Sequence, residues 1–261
     1  MSNEALGIIG GTGRLGGAIA RAVLVKALLS AGNLVISNRS GRHPLAQQGA
    51  YLVADNQDLV DRSDVVILAI RPEHFASLNI DATGKTVISL MAGISAKTTM
   101  VQTSALAVVR AMPNAAVEIE QSFTPWHCSG EIETTTRSLV QRLFECVGTA
   151  VEVQEEDFID YLSALSGTGP AFPALLMTAL ANQAMAAGIP SDIAQLAAKS
   201  VVVNSSQLLA RQDAQQIIDT LVAYRGVTAA ALQAMTHSHF EEQIGRALYE
   251  GAAVARKGLQ T

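Results

Sequence analysis

A glycine pattern near the N-terminus constrains this chain more than any other feature. Residues 6–10 form a short apolar run of strand type. Gly11-Thr12-Gly13-Arg14-Leu15-Gly16 follows at once and fits G-x-G-x-x-G. Residues 16–29 then place apolar side chains at helical spacing. Strand, glycine turn and helix in that order suit a dinucleotide. The first glycine permits a tight turn, the second lets main chain approach a pyrophosphate, and the third lets the helix lie close to the strand. The helix N-terminus adds free N–H groups and a positive dipole end. A purely structural turn is the alternative, and the placement between strand and helix speaks against it.

The rest of the first half repeats the alternation. Residues 34–37, 51–54, 65–70, 86–90 and 107–109 read as further strands, and residues 148–153 as a last one. Short apolar strands separated by helices predict a parallel sheet covered on both faces. From about Glu155 onward strand signals vanish, and Ala, Leu, Gln and Met recur at helical spacing. Gly188-Ile-Pro190 ends one helix and Ser191-Asp192 offers a cap for the next. The expected organisation is an α/β Rossmann-type doubly wound sheet over residues 1–153, followed by an all-α part over 154–261.

The loops after the strands suggest the cofactor. A carboxylate at the end of the second strand would hold ribose hydroxyls, but would repel a 2′-phosphate. Here the residues are Ser37-Asn38-Arg39-Ser40, a guanidinium flanked by hydroxyl and amide donors, which favours NADP(H). A solvated surface loop is the plainer alternative. Asn56 follows the third strand, Ala69-Ile70-Arg71-Pro72 the fourth, and Met91-Ala92-Gly93-Ile94 the fifth. Loops at strand C-terminal ends face the ligand crevice, and small residues at Ala92 and Gly93 would let amides reach a nicotinamide.

Bulk properties narrow the class. The 261 residues carry a net charge of -5 with no basic block, which disfavours a nucleic-acid partner. Only Cys128 and Cys146 occur, without CxxC spacing, so neither a zinc site nor a redox pair is expected and a reducing cytoplasm fits. No signal peptide is expected. The longest apolar stretch, residues 174–187, is broken by Asn182 and Gln183 and reads as a buried helix rather than a membrane span. His237 and His239 fall two apart on an expected helix, so no metal site is inferred. Trp126 reads as packing, and the acidic run Glu155-Glu156-Asp157 as complementing a helix dipole.

Taken in order, these motifs resemble the pyrroline-5-carboxylate reductases. The resemblance runs from Leu6 to about Ala255. It includes the glycine turn, Asn38-Arg39-Ser40, Asn56, and Ala69-Ile-Arg-Pro72 where the family has Ala-Val-Lys-Pro. It continues through Ser89-Leu-Met-Ala-Gly-Ile-Ser95 and Arg110-Ala-Met-Pro-Asn114. Its most specific piece is Leu165-Ser-Gly-Thr-Gly-Pro-Ala-Phe172, similar to the family's Leu-Ser-Gly-Ser-Gly-Pro-Ala-Tyr. The resemblance implies NADPH-dependent reduction of a small cyclic imine. It also implies a homodimer or higher homo-oligomer through the C-terminal helices, with the substrate cleft at the interface. One stretch departs. The family's Ser-Pro-Gly-Gly-Thr-Thr is here Ala223-Tyr224-Arg225-Gly226-Val227-Thr228. The resemblance implies that main-chain N–H groups of Gly226, Val227 and Thr228 hold the substrate carboxylate and that Thr228 bonds near the ring nitrogen. Arg225 either adds a carboxylate contact, plugs the pocket or faces solvent.

Hydride addition to C=N needs a proton on nitrogen, and a cyclic imine can enter already protonated. Placement then supplies most of the rate. Accordingly, no His–Asp or Lys–Tyr pair is evident. Ser166, Thr168 and Asn114 are further candidates near the nicotinamide end, with a cap, a turn hydroxyl and a loop amide as their structural alternatives. A β-hydroxyacid dehydrogenase would carry a catalytic Lys soon after Gly167, and only Lys199, on a later helix, is available. A deazaflavin-dependent NADP reductase shares the N-terminal turn but lacks the long helical half. A reductase of a different cyclic imine and a non-catalytic NADP-binding protein are the remaining alternatives.

Overall fold

The structure is a computed structural model that describes residues 4–38 and 43–257. One eight-stranded sheet is built from β1 (Leu6–Ile9), β2 (Leu34–Ser37), β3 (Tyr51–Val53), β4 (Val65–Leu68), β5 (Thr86–Ser89), β6 (Ala107–Ala111), β7 (Ser122–Ser129) and β8 (Gly148–Glu152). Their order is β3-β2-β1-β4-β5-β6-β7-β8. The connections reverse direction between β1 and β4, which creates the crevice where doubly wound sheets bind nucleotides. Five strands are fully buried, so their runs are mainly apolar rather than alternating, with buried Arg110 of β6 the charged exception. Two apolar layers cover the sheet. One gathers Ile8, Ile36, Ile67 and Trp126, and the other Ile9, Val66, Leu68 and Phe75. Helices α1 (Arg14–Val25), α2 (Asn56–Asp61), α3 (Ala96–Thr103), α4 (Thr134–Glu145) and α5 (Glu156–Leu162) accompany the strands.

The sequence reading missed β7. It runs antiparallel to β6 and parallel to β8. Pro125 interrupts its pattern and lends only its carbonyl, which accepts the Met112 N–H at 3.0 Å. Buried Ser122 and Thr124 hide the apolar alternation, and their hydroxyls bond each other at 3.1 Å. Trp126 anchors this strand. It is buried as expected, and its Nε1–H donates to Gln141 Oε1 at 2.9 Å.

The chain divides into two compact units, Met1–Thr168 with Tyr249–Thr261, and Gly169–Leu248. The second unit is helical throughout. Its helices are α6 (Ala171–Ala186), α7 (Ser191–Lys199), α8 (Ala214–Ala223) and α9 (Val227–His237), followed by α10 (Phe240–Lys257), whose residues from Tyr249 group with the first unit. Gly188 closes α6 with φ +89°. The cap of α7 is Pro190, with Ser191 already in the first turn, one residue earlier than the sequence suggested. His239 lies outside α9 with φ +58° and bonds Glu242 at 2.8 Å, so the two histidines do not share a helix. Among the described residues no cluster of His, Cys, Asp or Glu could hold a metal.

One expectation is overturned. The apolar stretch at 174–187 is not a buried helix in the single chain. Ala181 is the one buried residue of α6, whereas Leu175 of α6 and Leu196 of α7 are 69% and 70% exposed. Among the described residues, Glu156–Ala186 is long and apolar enough to cross a membrane by length and composition alone, and its most apolar window is only 11% buried. The physical reason is that, among the described residues, α7 packs on α6 without burying more of it than Ala181. An exposed apolar surface of this extent is of the kind that marks an interaction site.

Candidate active site

The glycine turn has the shape a diphosphate requires. Gly10, the last residue of the first apolar run, has φ +82°, and a Cβ there would collide with the Ala69 carbonyl oxygen. The tight turn therefore belongs to Gly10 and not to Gly11, the first glycine of the pattern. Gly11 instead lies against Ile8 and Ile36. Gly16 keeps α1 close, since a Cβ there would sit 2.6 Å from Gly10 O. Thr12 and Gly13 are exposed, and Gly13 caps α1 without a side-chain bond. The Gly17 N–H is bonded to Gly13 O at 2.8 Å, so the amides of Arg14, Leu15 and Gly16 precede the first helical bond. These features fit a pyrophosphate.

Arg14 is exposed and paired with Glu118, which lowers the Glu118 pKa through their hydrogen bond. Ser37 is buried at the end of β2, and the Asn38 N–H reaches Val53 O at 2.9 Å. Arg39 and Ser40, on which the NADP preference rested, lie outside the described residues. Asn56 opens α2, whose cap is Asp55 accepting from Gln57 and Asp58. Ala69 and Ile70 end the β4 loop beside Gly10, and Arg71 and Pro72 begin a 3-10 turn with the Arg71 side chain 81% exposed.

Within the first unit a largely apolar cleft of about 350 Å³ is lined by Ala92, Gly93, Ser163, Ala164, Thr168, Gly251 and Val254, among others. Gly93 has φ +74°, which turns the loop after β5. Residues Ser163–Gly167 form a π-helical turn continuing α5. Such turns often mark functional positions. Ser163 and Ser166 donate their hydroxyls to Ile159 O and Leu162 O, at 2.6 and 2.8 Å. Thr168 likewise donates to Ala164 O. A hydroxyl whose hydrogen is spent on a carbonyl keeps only acceptor capacity.

Asn114 is held at both ends of its amide. Oδ1 accepts from Ala116 N at 2.8 Å, and Nδ2 donates to Ser166 O at 2.9 Å. The structure thus brings Thr168 together with Ala92 and Gly93 in the cleft, and ties Asn114 to Ser166 in the π-helical turn. In the second unit, Gly226 caps α9, and the first helical bond runs from Ala230 N to Gly226 O at 3.1 Å. The amides of Val227, Thr228 and Ala229 precede it and form a carboxylate-sized donor set. Arg225 has φ +47°, a left-handed conformation that favours glycine, and Tyr224 and Val227 are exposed. Lys199, the dehydrogenase candidate, lines a separate pocket with Met177 and Asn182.

Comparison with known proteins settles the family. The chain is 30% identical, over 92% of both sequences, to a pyrroline-5-carboxylate reductase of Synechocystis sp.. It belongs to the pyrroline-5-carboxylate reductase family. A garden pea (Pisum sativum) member is 26% identical over 97% of this chain and 95% of its own. Residues 156–258 match the family described as pyrroline-5-carboxylate reductase dimerisation. Residues 5–93 match the NADP oxidoreductase, coenzyme F420-dependent family, the N-terminal likeness noted in the sequence. The reductase from Streptococcus pyogenes superposes with a TM-score of 0.80 at 26% identity, covering 98% of this chain and 99% of that one. The fold is also that of the reductase from Coxiella burnetii, TM-score 0.83 at 23% identity, with 98% of each chain covered.

Sequence reasoning missed several features around the site, the π-helical turn among them. Gly10 was hidden because it closes an apolar run. The Arg110–Glu156–Asp160 cluster was hidden because its members are distant in sequence. Glu118 gave no local signal. Both cysteines are free, and burial pushes both thiols up.

Proposed function

We propose that this chain reduces 1-pyrroline-5-carboxylate to proline with NADPH. The observation that carries the reading is the committed hydroxyl of Thr168 in the cleft. Its oxygen is left as an acceptor. An acceptor suits the N–H of a protonated imine, whereas a carbonyl substrate would demand a donor. Bound NADPH supplies a hydride to the ring carbon of the C=N bond, whose electron pair passes to the already protonated nitrogen, leaving NADP⁺ and the amine.

The residues of the chain bind and orient. Gly11, Thr12, Gly13, Arg14, Leu15 and Gly16 cradle the diphosphate, and Ser37, Asn38, Arg39 and Ser40 receive the 2′-phosphate. Asn56 and the Ala69–Pro72 loop flank the riboses, and Ala92 and Gly93 face the nicotinamide. Ser166 and Thr168 accept from N–H groups and exclude water. The amides of Val227, Thr228 and Ala229, with that of the cap Gly226, take the substrate carboxylate, while the Thr228 hydroxyl orients near the ring nitrogen. In this reading residues 1–153 serve the cofactor and 154–261 the substrate and a homodimer or higher homo-oligomer, in the cytoplasm. Purified protein should consume NADPH rapidly with pyrroline-5-carboxylate and consume NADH more slowly. Tight NADPH binding with no turnover would sink the assignment.

Arg225 favours a second reading. A cation just ahead of the α9 amides suits a cyclic imine with more negative charge than one carboxylate, and Arg225→Gly would then lower turnover of that substrate while raising that of pyrroline-5-carboxylate.

A further inference from the structure

Behind the cleft lies a buried ionic cluster that none of the roles above uses. Arg110, at the C-terminal end of β6, is 4% exposed. Its Nη1 donates to Glu156 Oε1 and its Nη2 to Asp160 Oδ1, each at 2.9 Å. Glu156 Oε1 also accepts the Ala96 N–H at 2.8 Å, at the start of α3. The carboxylate there meets the positive end of α3. One guanidinium thus joins three segments. The first is the loop after β5, with Ala92 and Gly93 just ahead of α3. The second is β6 itself, which leads to Asn114. The third is α5, in which Asp160 lies one turn before Ala164 and the Thr168 end of the π-helical turn. Ala92, Gly93, Ser163, Ala164 and Thr168 all line the cleft. The Asn114–Ser166 bond closes the second link between β6 and the π turn. Arg110 Nε has no partner among the described residues, so the guanidinium is held for its two Nη bonds and not for its own saturation.

We propose that Arg110, with Glu156 and Asp160, is a positioning residue that fixes the nicotinamide loop and the π turn as one piece. This rests on the reading of the cleft as the hydride-transfer site. A planar fork fits the task because it reaches two carboxylates at fixed angles, which a lysine cannot do. Small displacements of reacting groups are costly, so the cluster acts on the hydride step more than on binding.

The test uses the full chain with Arg110→Lys, Glu156→Gln and Asp160→Asn. The Gln and Asn variants keep the side-chain shape and guard against a simple failure to fold. Affinity for 2′,5′-ADP, measured by calorimetry, should stay unchanged. The fluorescence anisotropy of NADPH bound to the variants should fall as the nicotinamide loosens. The single-turnover hydride rate should drop roughly ten- to a hundredfold, with a larger isotope effect from 4-deuterated NADPH and little change in KM for the imine. Arg110→Lys should retain part of the rate. Lowered melting temperatures with wild-type anisotropy and wild-type hydride rates in the folded fraction would overturn the proposal. If wild-type protein binds NADPH but reduces no imine, the functional reading fails, and the anisotropy comparison still decides this one.

Discussion

Arg225 shows how much a single residue can reveal. Its φ of +47° is where the family's loop carries glycine. The left-handed conformation costs a side chain about 1–2 kcal/mol, part of which glycine returns through the freer unfolded chain. Arg225→Gly should therefore raise stability by about 0.5–1 kcal/mol in a denaturant titration. Thr228→Ala should lower kcat about tenfold, the value of one well-placed hydrogen bond, with NADPH affinity unchanged. Gly10→Ala should abolish NADPH binding and cost over ~2 kcal/mol, because positive φ and a collision with Ala69 O act together. Legibility at this scale followed chemistry that is local in sequence. Gly16 was placed correctly because strand, turn and helix are consecutive. Arg110 was not, because its partners are 46 and 50 residues away and nothing local marks a buried cation.

Among elements, the central parallel strands were readable because burial on both faces makes them mainly apolar. Strand β7 was not, because Pro125 and two buried hydroxyls break that pattern. Its burial is checked simply. Trp126 is the chain's only tryptophan. Intrinsic emission should be blue-shifted and resist quenching by iodide, and Gln141→Leu, which removes the partner of Nε1, should cost about 1–2 kcal/mol. Emission of a solvent-exposed indole would contradict the strand's place between β6 and β8. The π-helical turn was also invisible beforehand. Its two back-bonding hydroxyls, and that of Thr168 which caps it, look in sequence like ordinary small polar residues, and only the fold shows where their hydrogens go.

For the whole molecule, the helical half leaves Leu175, Leu196, Val201 and Leu208 exposed in one chain. Such a surface points to a second copy, and isologous pairing is the common solution. Sedimentation should show no stable monomer at micromolar concentration. Leu175→Glu with Leu196→Glu should give monomers that lose turnover yet still bind 2′,5′-ADP. Monomers that retain full activity would remove the need for a partner. Spacing and composition could show only that these helices are apolar, and the second copy that would cover them entered through the family resemblance alone. The division into units has a consequence of another kind. Residues from Tyr249 group with the first unit, although the whole of the second is encoded between them and the sheet. On the ribosome, then, the glycine cradle and all eight strands emerge before the second unit, while Gly251 and Val254, which wall the cleft, emerge only after it. A chain released too soon would carry a finished nucleotide cradle beside an unwalled cleft, so prematurely terminated copies would sequester cofactor without using it.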